Sequence, residues 1–561
     1  MSTPASSRFR WRVAIPMVLV ILALILGTVF SIASRFSASA ASPASVAPDG
    51  PGALSHFDLA RKDCLGTARN TTSKVWFTIA NGVLSDVYYP TIDNTNVETL
   101  QYIVSDGSTF TDLQTRDTTY TVQLLDTHSQ ALDCQVTTTA KSGKYRIITD
   151  YLTDPNQNTV VMNVHFIPLV GSLSTYKLYV RYDPSINGNG GGGSGNGGGD
   201  TGTIDTSSGH TVPIAFDTVA KNNPFNRNYA VPVYSALDAS TPFIQVSNGF
   251  AGQPSDGLVQ LDASHTLTSL NTQATNGNLV QTAQANISHG GMFTLALGFG
   301  TSQSASVSAS EASLATQFSQ LQKGYESGWD TYDSGLIAPP THFKGATDNQ
   351  WHQLVAEYYL SANVVKASED KTFPGAIVAS LASPWGQAIS AGDPNNPFFG
   401  SYREVFARDV YEAWTGLVLD GDLATASDVV NFLFNKQQQA DGSMPRNSLL
   451  NGMTAPDSFG TQLDEASYPI IMAFQLGMTD ATLYQNHIKP AANFVIGHGP
   501  AFGVERWEEQ NGYSPSTIAA EIAGLVAAAD IAKVNGDTQS AQLWLGVADD
   551  WQRSVEGWTV T

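Results

Sequence analysis

Two periods divide the chain. From about residue 57 to about residue 300, apolar residues recur in short runs with the two-residue alternation of half-buried strands. Val75-Trp76-Phe77-Thr78-Ile79 and Val83-Leu84-Ser85-Asp86-Val87-Tyr88-Tyr89 flank Asn81-Gly82, a hairpin turn signal. Further runs rich in Val, Ile, Tyr and Thr cover 145–151, 159–168 and 176–182. Many short strands with no helical period predict a large antiparallel β-sandwich, one face of each strand being buried. From about residue 305 the pattern becomes helical. It predicts a connecting helix over Ser310–Gly324 and, after Pro339-Pro340, amphipathic segments over 346–367, 404–419, 422–438, 463–476, 479–496, 515–534 and 538–556. Leu423, Ala426, Val430 and Leu433 share one helical face. Ser514 can cap the helix that follows, with Pro515 in its first turn, where a missing N–H costs little. Helix pairs joined by long, aromatic, Gly-rich loops predict an α/α toroid, with a site where loops converge at one end of the ring. The domains expected are a β-sandwich over 57–304, a linker helix over 305–340 and a helical domain over 341–561.

The N-terminal segment stands apart. Arg8, Arg10 and Arg12 precede an uncharged run from Val13 to Ser34, and Ala38-Ser39-Ala40 follows as a small-residue cleavage signal. The run reaches the roughly 20 residues a spanning helix needs. Residues 1–41 therefore read either as a signal peptide or as a retained anchor, and 42–56 as a flexible leader. The mature chain is expected to be secreted or held at the cell surface, touching a membrane only through this segment. Cys64 and Cys134 then either pair in an oxidising compartment or lie as two buried thiols. The glycine tract from Asn187 to Asp200 lacks the Lys-Ser/Thr of a phosphate loop and reads as a surface loop between strands.

Composition narrows the partners. A net charge of −21 excludes the basic footprint of a nucleic-acid binder. Low charge content (14%) with 20 Tyr and 10 Trp suits an exported protein with a neutral ligand. No Cys/His spacing suggests zinc, and no Gly-x-Ser-x-Gly elbow suggests serine hydrolysis.

Carboxylates carry the candidate chemistry. Glu508 and Glu509 follow Trp507 and precede a helix. Glycoside hydrolysis commonly uses two carboxyls, one protonating the leaving oxygen while the other activates water or attacks carbon. Adjacent side chains in an extended stretch point to opposite sides, so one of these two can be the acid while the other grips a hydroxyl. Trp507 can desolvate a carboxyl and raise its pKa, favouring a proton donor. The plainer reading is a pair of acids ahead of a helix N-terminus. Arg408-Asp409, in the run Tyr402-Arg403-Glu404-Val405-Phe406-Ala407-Arg408-Asp409, can clamp vicinal hydroxyls or form a solvated ion pair. Asp464-Glu465 reads as a helix start, with a barrel-lining or calcium-binding role as alternatives. His352, beside Trp351, reads as a packing residue.

At these residues the chain resembles the bacterial glucoamylase and glucodextranase group of glycoside hydrolase family 15. Residues 64–90 are similar to the opening of that group's N-terminal super-β-sandwich. Pro374-Gly375-Ala376, Pro384-Trp385-Gly386, Tyr402 with Arg408-Asp409, Asp441-Gly442-Ser443 with Pro445 and Asn447, and Gln462-Leu463-Asp464-Glu465 are similar to the start of its (α/α)6 barrel. The stretch from Glu505 to Leu525 is the most specific. The resemblance implies an inverting exo-hydrolase releasing glucose from non-reducing ends of α-glucans. It implies Glu508 as general acid, Glu509 as a substrate contact, Arg408 and Asp409 as holders of the terminal glucose, Tyr402 as the aromatic near the reacting carbon, and Trp507 as subsite wall. A monomer is expected; no cofactor is required, and calcium is permitted. The pattern departs at Phe406, usually Trp, and at Arg403, often His. About seven of the twelve barrel helices are expected within 561 residues, and no carboxylate matches the family's general base. On that ground the chain is expected to be a truncated form with little turnover. The alternative is a non-catalytic surface protein that binds glucan.

Overall fold

The computed structural model describes residues 45–53, 61–126, 130–188, 199–219, 227–381, 402–455, 458, 460–503, 506 and 511–560. The N-terminal apolar run, most of the glycine tract and Pro384-Trp385-Gly386 lie outside these residues. Among the described residues no helix is long and apolar enough to cross a membrane.

The alternating half folds into two antiparallel sheets. One runs in space through Cys64–Gly66, Trp76–Ala80, Val83–Tyr88, Thr95–Ser105, Lys177–Gly188, Leu279–Ala285 and Gln245–Phe250, with Thr111–Leu113 also paired to Thr95–Ser105. The other runs through Ala274–Gly277, Asp200–Asp205, Val212–Asp217, Val233–Ala239, Met292–Gly300, Thr159–Pro168, Tyr145–Thr153, Cys134–Ala140 and Thr118–Leu124. The hairpin at Asn81-Gly82 is present, both residues having positive φ (52° and 74°). Phe77, Leu100 and Val180 from the first sheet meet Val136, Met162 and Leu295 from the second in one buried core. In Cys134–Ala140 every second residue is buried, as the alternation predicts.

Several strands depart from that rule. Trp76–Ala80 and Val83–Tyr88 are buried at every position, on both faces. Their second face is covered by the helical half: Trp76, Tyr88 and Ile92 belong to its core rather than to the sandwich core. Trp76 Nε1 donates to Ala367 O at 2.9 Å, and Tyr88 Oη donates to Leu381 O at 2.7 Å. Period alone cannot foresee this, because a partner supplied from residues 365–530 converts a solvent face into an interior one.

Cys64 and Cys134 form a disulfide with Cα atoms 6.5 Å apart, joining the two sheets. Instead of one connecting helix over 310–324 there are two, Gln303–Leu314 and Phe318–Gly335. The first packs small buried residues, Ser306, Ala309, Ser310 and Ser313, against the Gly298 and Gly300 backbone, where larger side chains have no room. The second buries Leu321, Tyr325 and Trp329, one residue per turn, against Ala68, Leu132 and Leu152 of the sandwich.

The helical domain holds Asp348–Ala367, Ala407–Asp420, Leu423–Phe432, Leu463–Gln475, Lys489–His498, Pro515–Val534 and Thr538–Thr559. Leu423–Phe432 runs on into a π turn, Leu433–Gln437. A second π turn, Tyr484–Ile488, leads into Lys489–His498, whose Pro490 has no N–H to continue the ladder. His352 is exposed rather than packed in the core, its Nδ1 lying 2.7 Å from Asp348 O. Ser514 caps the Pro515–Val534 helix through the Thr517 N–H.

Candidate active site

The segment from Tyr402 to Phe406 is held from three directions. Val405 exchanges backbone hydrogen bonds with Ser448 at 2.9 and 3.0 Å, and Gln437 Nε2 donates to Val405 O at 2.9 Å. Ala379 and Ser380 N–H groups donate to the carbonyls of Glu404 and Tyr402. From the sandwich, Thr95 Oγ1 accepts from Arg403 Nη1 at 2.6 Å. This hold maintains Tyr402 at φ +49°, a region that bulky residues occupy only under constraint. The Tyr402 ring stacks on Phe406 with centroids 6.0 Å apart, and the Arg446 guanidinium lies 5.3 Å from the Phe406 ring.

Phe406 then opens the Ala407–Asp420 helix, and no side chain of its own caps it. The cap comes from another helix: Glu465 Oε2 accepts the Arg408 backbone N–H at 2.8 Å. The same residues hold the Arg408 side chain. Its Nη1 donates to Asp464 Oδ2 at 2.9 Å and to Gln462 Oε1 at 3.1 Å, and lies 3.3 Å from Glu465 Oε1. Arg408 thus pairs across the fold with Asp464 and Glu465 rather than forming a solvated pair with its neighbour Asp409. Burial works to lower the pKa of the guanidinium, but Glu465 and Asp464 outweigh it and keep the group firmly charged. Its other nitrogens make no hydrogen bond with the described residues, and the side chain retains 10% exposure.

Asp409, the next residue, is exposed. Protein packed around its inner side nevertheless raises its pKa, with Arg408 and Arg446 opposing. Beneath the pair, Tyr411 stacks on Tyr468 at 4.6 Å. Burial and Asp464 push the Tyr468 phenol up to about 12 against the pull of Arg408, and Arg506 also lowers it from nearby. Arg506 immediately precedes Trp507 in the sequence. Trp507, Glu508 and Glu509 themselves lie outside the described residues.

The structure thus brings together Tyr402, Arg408 and Asp409 and adds Asp464 and Glu465, read first as a helix start with barrel-lining or calcium binding as alternatives, and Glu521. Asp464 and Glu465 stand out as an acidic pair in the sequence, but their place in a first helical turn fits a plain helix start. Glu521 gives no local signal at all. Gly524 approaches Ser467 so closely that a Cβ there would lie 3.1 Å from the serine Cβ. Three residues earlier on each helix, Glu521 faces Asp464. Glu521 is fully buried, neither carboxyl oxygen is hydrogen-bonded to a described residue, and burial, then Asp464, raises its pKa to about 8. Among the described residues no group of three or more His, Cys, Asp or Glu is arranged to hold a metal ion. The Arg408 donors unpaired among the described residues, the exposed Asp409 carboxylate and the partly exposed Tyr402 ring suit a neutral polyhydroxylated ligand: hydroxyls bond to the charged groups while C–H faces lie on the ring.

An antiparallel sandwich joined to an α/α domain with such a site is the build of a carbohydrate-active protein, and comparison with known proteins specifies the family. Residues 47–334 match the family model for glucodextranase domain N, and residues 355–561 match that for glycosyl hydrolases family 15. The chain is 36% identical over 515 residues to a glucoamylase of Clostridium sp. (strain G0005), covering 92% of this chain and 67% of that protein. A crystal structure of a bacterial glucoamylase complexed with acarbose superposes with a TM-score of 0.79 at 34% identity, covering 91% of this chain and 69% of that one. The chain belongs to glycosyl hydrolases family 15.

Proposed function

We propose that this chain provides the glucose-holding and proton-donating side of an exo-acting, inverting α-glucan hydrolase. The observation that carries the reading is the fixed Arg408, with one edge held by buried carboxylates and the other left for a ligand beside Asp409, Tyr402 and Phe406. In this reading Arg408 and Asp409 bind hydroxyls of the terminal sugar, and Tyr402 flanks its reacting carbon. Glu508 protonates the oxygen that leaves, Trp507 keeps that carboxyl dry, and Glu509 bonds a sugar hydroxyl. An inverting site needs a second carboxyl roughly 6.5–9.5 Å from the acid to activate water. None of the carboxylates in the 561 residues has the family resemblance of that base. The alternative is a protein that binds glucan without hydrolysing it, and the assays below separate the two.

Acarbose, the ligand named for the related structure, is the probe. Calorimetric titration of the 561-residue chain should show binding that Arg408→Ala or Asp409→Asn weakens by at least tenfold. Binding unaffected by both changes refutes the site. For the chemistry, Glu508→Gln is made in a polypeptide extended to the length of the glucoamylase relative and assayed for glucose release. The substitution should lower turnover by about two to four orders of magnitude, the usual scale of general acid catalysis. A near-normal rate removes Glu508 from its assigned role. Maltose, isomaltose, starch and dextran as substrates decide between α-1,4 and α-1,6 preference. The basic-apolar N-terminus supports a secreted or surface-held protein, which fractionation and N-terminal sequencing of the native product test.

A further inference from the structure

We propose that Asp464 and Glu465, with Gln462, are positioning residues that set the orientation of Arg408 toward the sugar. The proposal rests on the reading of Arg408 as a sugar-holding residue and explains how that side chain is aimed. All three partners are buried, at 1%, 0% and 5% exposure for Asp464, Glu465 and Gln462. Glu465 grips both ends of the arginine: one oxygen takes the backbone N–H at 2.8 Å, and the other sits 3.3 Å from Nη1. Asp464 and Gln462 converge on the same Nη1 at 2.9 and 3.1 Å. The hydrogen bonds to Asp464 and Gln462 use both N–H groups of Nη1, with Glu465 Oε1 beside it as a counter-charge, while the rest of the planar fork finds no partner among the described residues.

The asymmetry argues for aiming over fastening. An arginine that merely fastens two helices gains most from a bidentate pair that uses both edges of the fork. Here one terminal nitrogen is saturated and the described residues leave the others unpaired, although the residue is buried enough that spare donors are costly. The spared edge belongs to a side chain that keeps some solvent access and sits beside exposed Asp409. A planar donor group held in this way delivers its remaining N–H bonds in one direction only, which is how a first sugar residue is distinguished by its hydroxyl geometry.

The test uses the full chain and the variants Asp464→Asn, Glu465→Gln and Arg408→Lys, alone and combined. Asp464→Asn should weaken acarbose binding by about 10- to 100-fold. On the Arg408→Lys background the same change should cost less than threefold, because the lysine no longer offers an edge to aim. Glu465→Gln, which keeps an oxygen for the Arg408 N–H, should retain more affinity than Glu465→Ala. Asp464→Asn binding within twofold of the parent overturns the proposal, and so does a loss that adds in full to that of Arg408→Lys. Guanidinium NMR provides a sugar-free readout. The Arg408 Nη signals should be separately resolved by hindered rotation in the parent and averaged in Asp464→Asn. If the parent binds no acarbose, the sugar-holding reading fails, while an unchanged Arg408 spectrum in Asp464→Asn separately disproves the positioning role.

Discussion

Charge burial decides most of what individual residues do here. Glu521 is the sharpest case. An ionised carboxylate with no hydrogen bond from the described residues, fully enclosed and facing Asp464, is costly by several kcal/mol, so the side chain stays protonated at neutral pH. The sign of the effect follows from its pKa, raised from 4.5 unfolded to about 8 folded. The folded state holds the proton more tightly, so this group's stabilisation is complete below the unfolded value and fades as pH rises through the folded one. Asp333, pushed by burial to about 7, and Asp370, pushed by burial to about 6, act in the same direction. Chemical denaturation between pH 5 and 8 should show the parent losing stability with rising pH. Glu521→Gln should flatten that slope by up to about 1.4 kcal/mol per pH unit. An unchanged slope in the variant shows that Glu521 does not titrate in this window. The sequence exposed the chemistry of Tyr402, Arg408 and Asp409 because those residues lie together within eight positions. It did not expose Gln462, Asp464, Glu465 and Glu521 as their companions, because those meet only when three helices pack.

Among the elements, the helices followed their period closely and missed where backbone chemistry intervened. The predicted segment over 479–496 holds Pro490 and becomes a π turn followed by a helix. The predicted connector over 310–324 straddles a break, with Gln317 extended at ψ 138°. Tight contacts between elements fix the loops that frame the site. Gly442, at φ +90°, is one: a Cβ there would lie 2.3 Å from the Pro490 carbonyl. Its motif neighbour Ser443 donates to Asp441 Oδ1 at 2.6 Å and is buried beside Met444. Gly442→Ala should therefore destabilise the protein by roughly 1–3 kcal/mol, the range for strained backbone positions, through the Asp441–Asn447 turn against the Lys489–His498 helix. Thermal melts check this, and a melting temperature within 1 °C of the parent disproves the close approach.

For the whole molecule, the sandwich is part of the helical domain's scaffold. Its Trp76 and Tyr88 enter the helical core, Thr95 accepts from Arg403, and Lys371 donates at 2.6 Å to each of Thr67 Oγ1, Ala68 O and Ser73 O. The disulfide between Cys64 and Cys134 ties the first strand of this interface to the second sheet across 70 residues. Replacing both cysteines by alanine should cost about 2–4 kcal/mol. Because the two halves share a core, calorimetry should show both melting together at a lower temperature; two separated transitions, or none of the expected loss, would count against this coupling. The sequence by itself determined the division into strands and helices, the hairpin at Asn81-Gly82, the family and the candidate residues of the Tyr402–Asp409 run, because periodicity, turn chemistry and short motifs are local properties of a chain. Only the tertiary structure decided that the Trp76 and Tyr88 strands are buried on both faces, and that Arg408 is paired with Asp464 and Glu465 rather than with adjacent Asp409. Burial and electrostatic pairing depend on distances between segments far apart in the chain, and those distances exist only once the helices and sheets have packed.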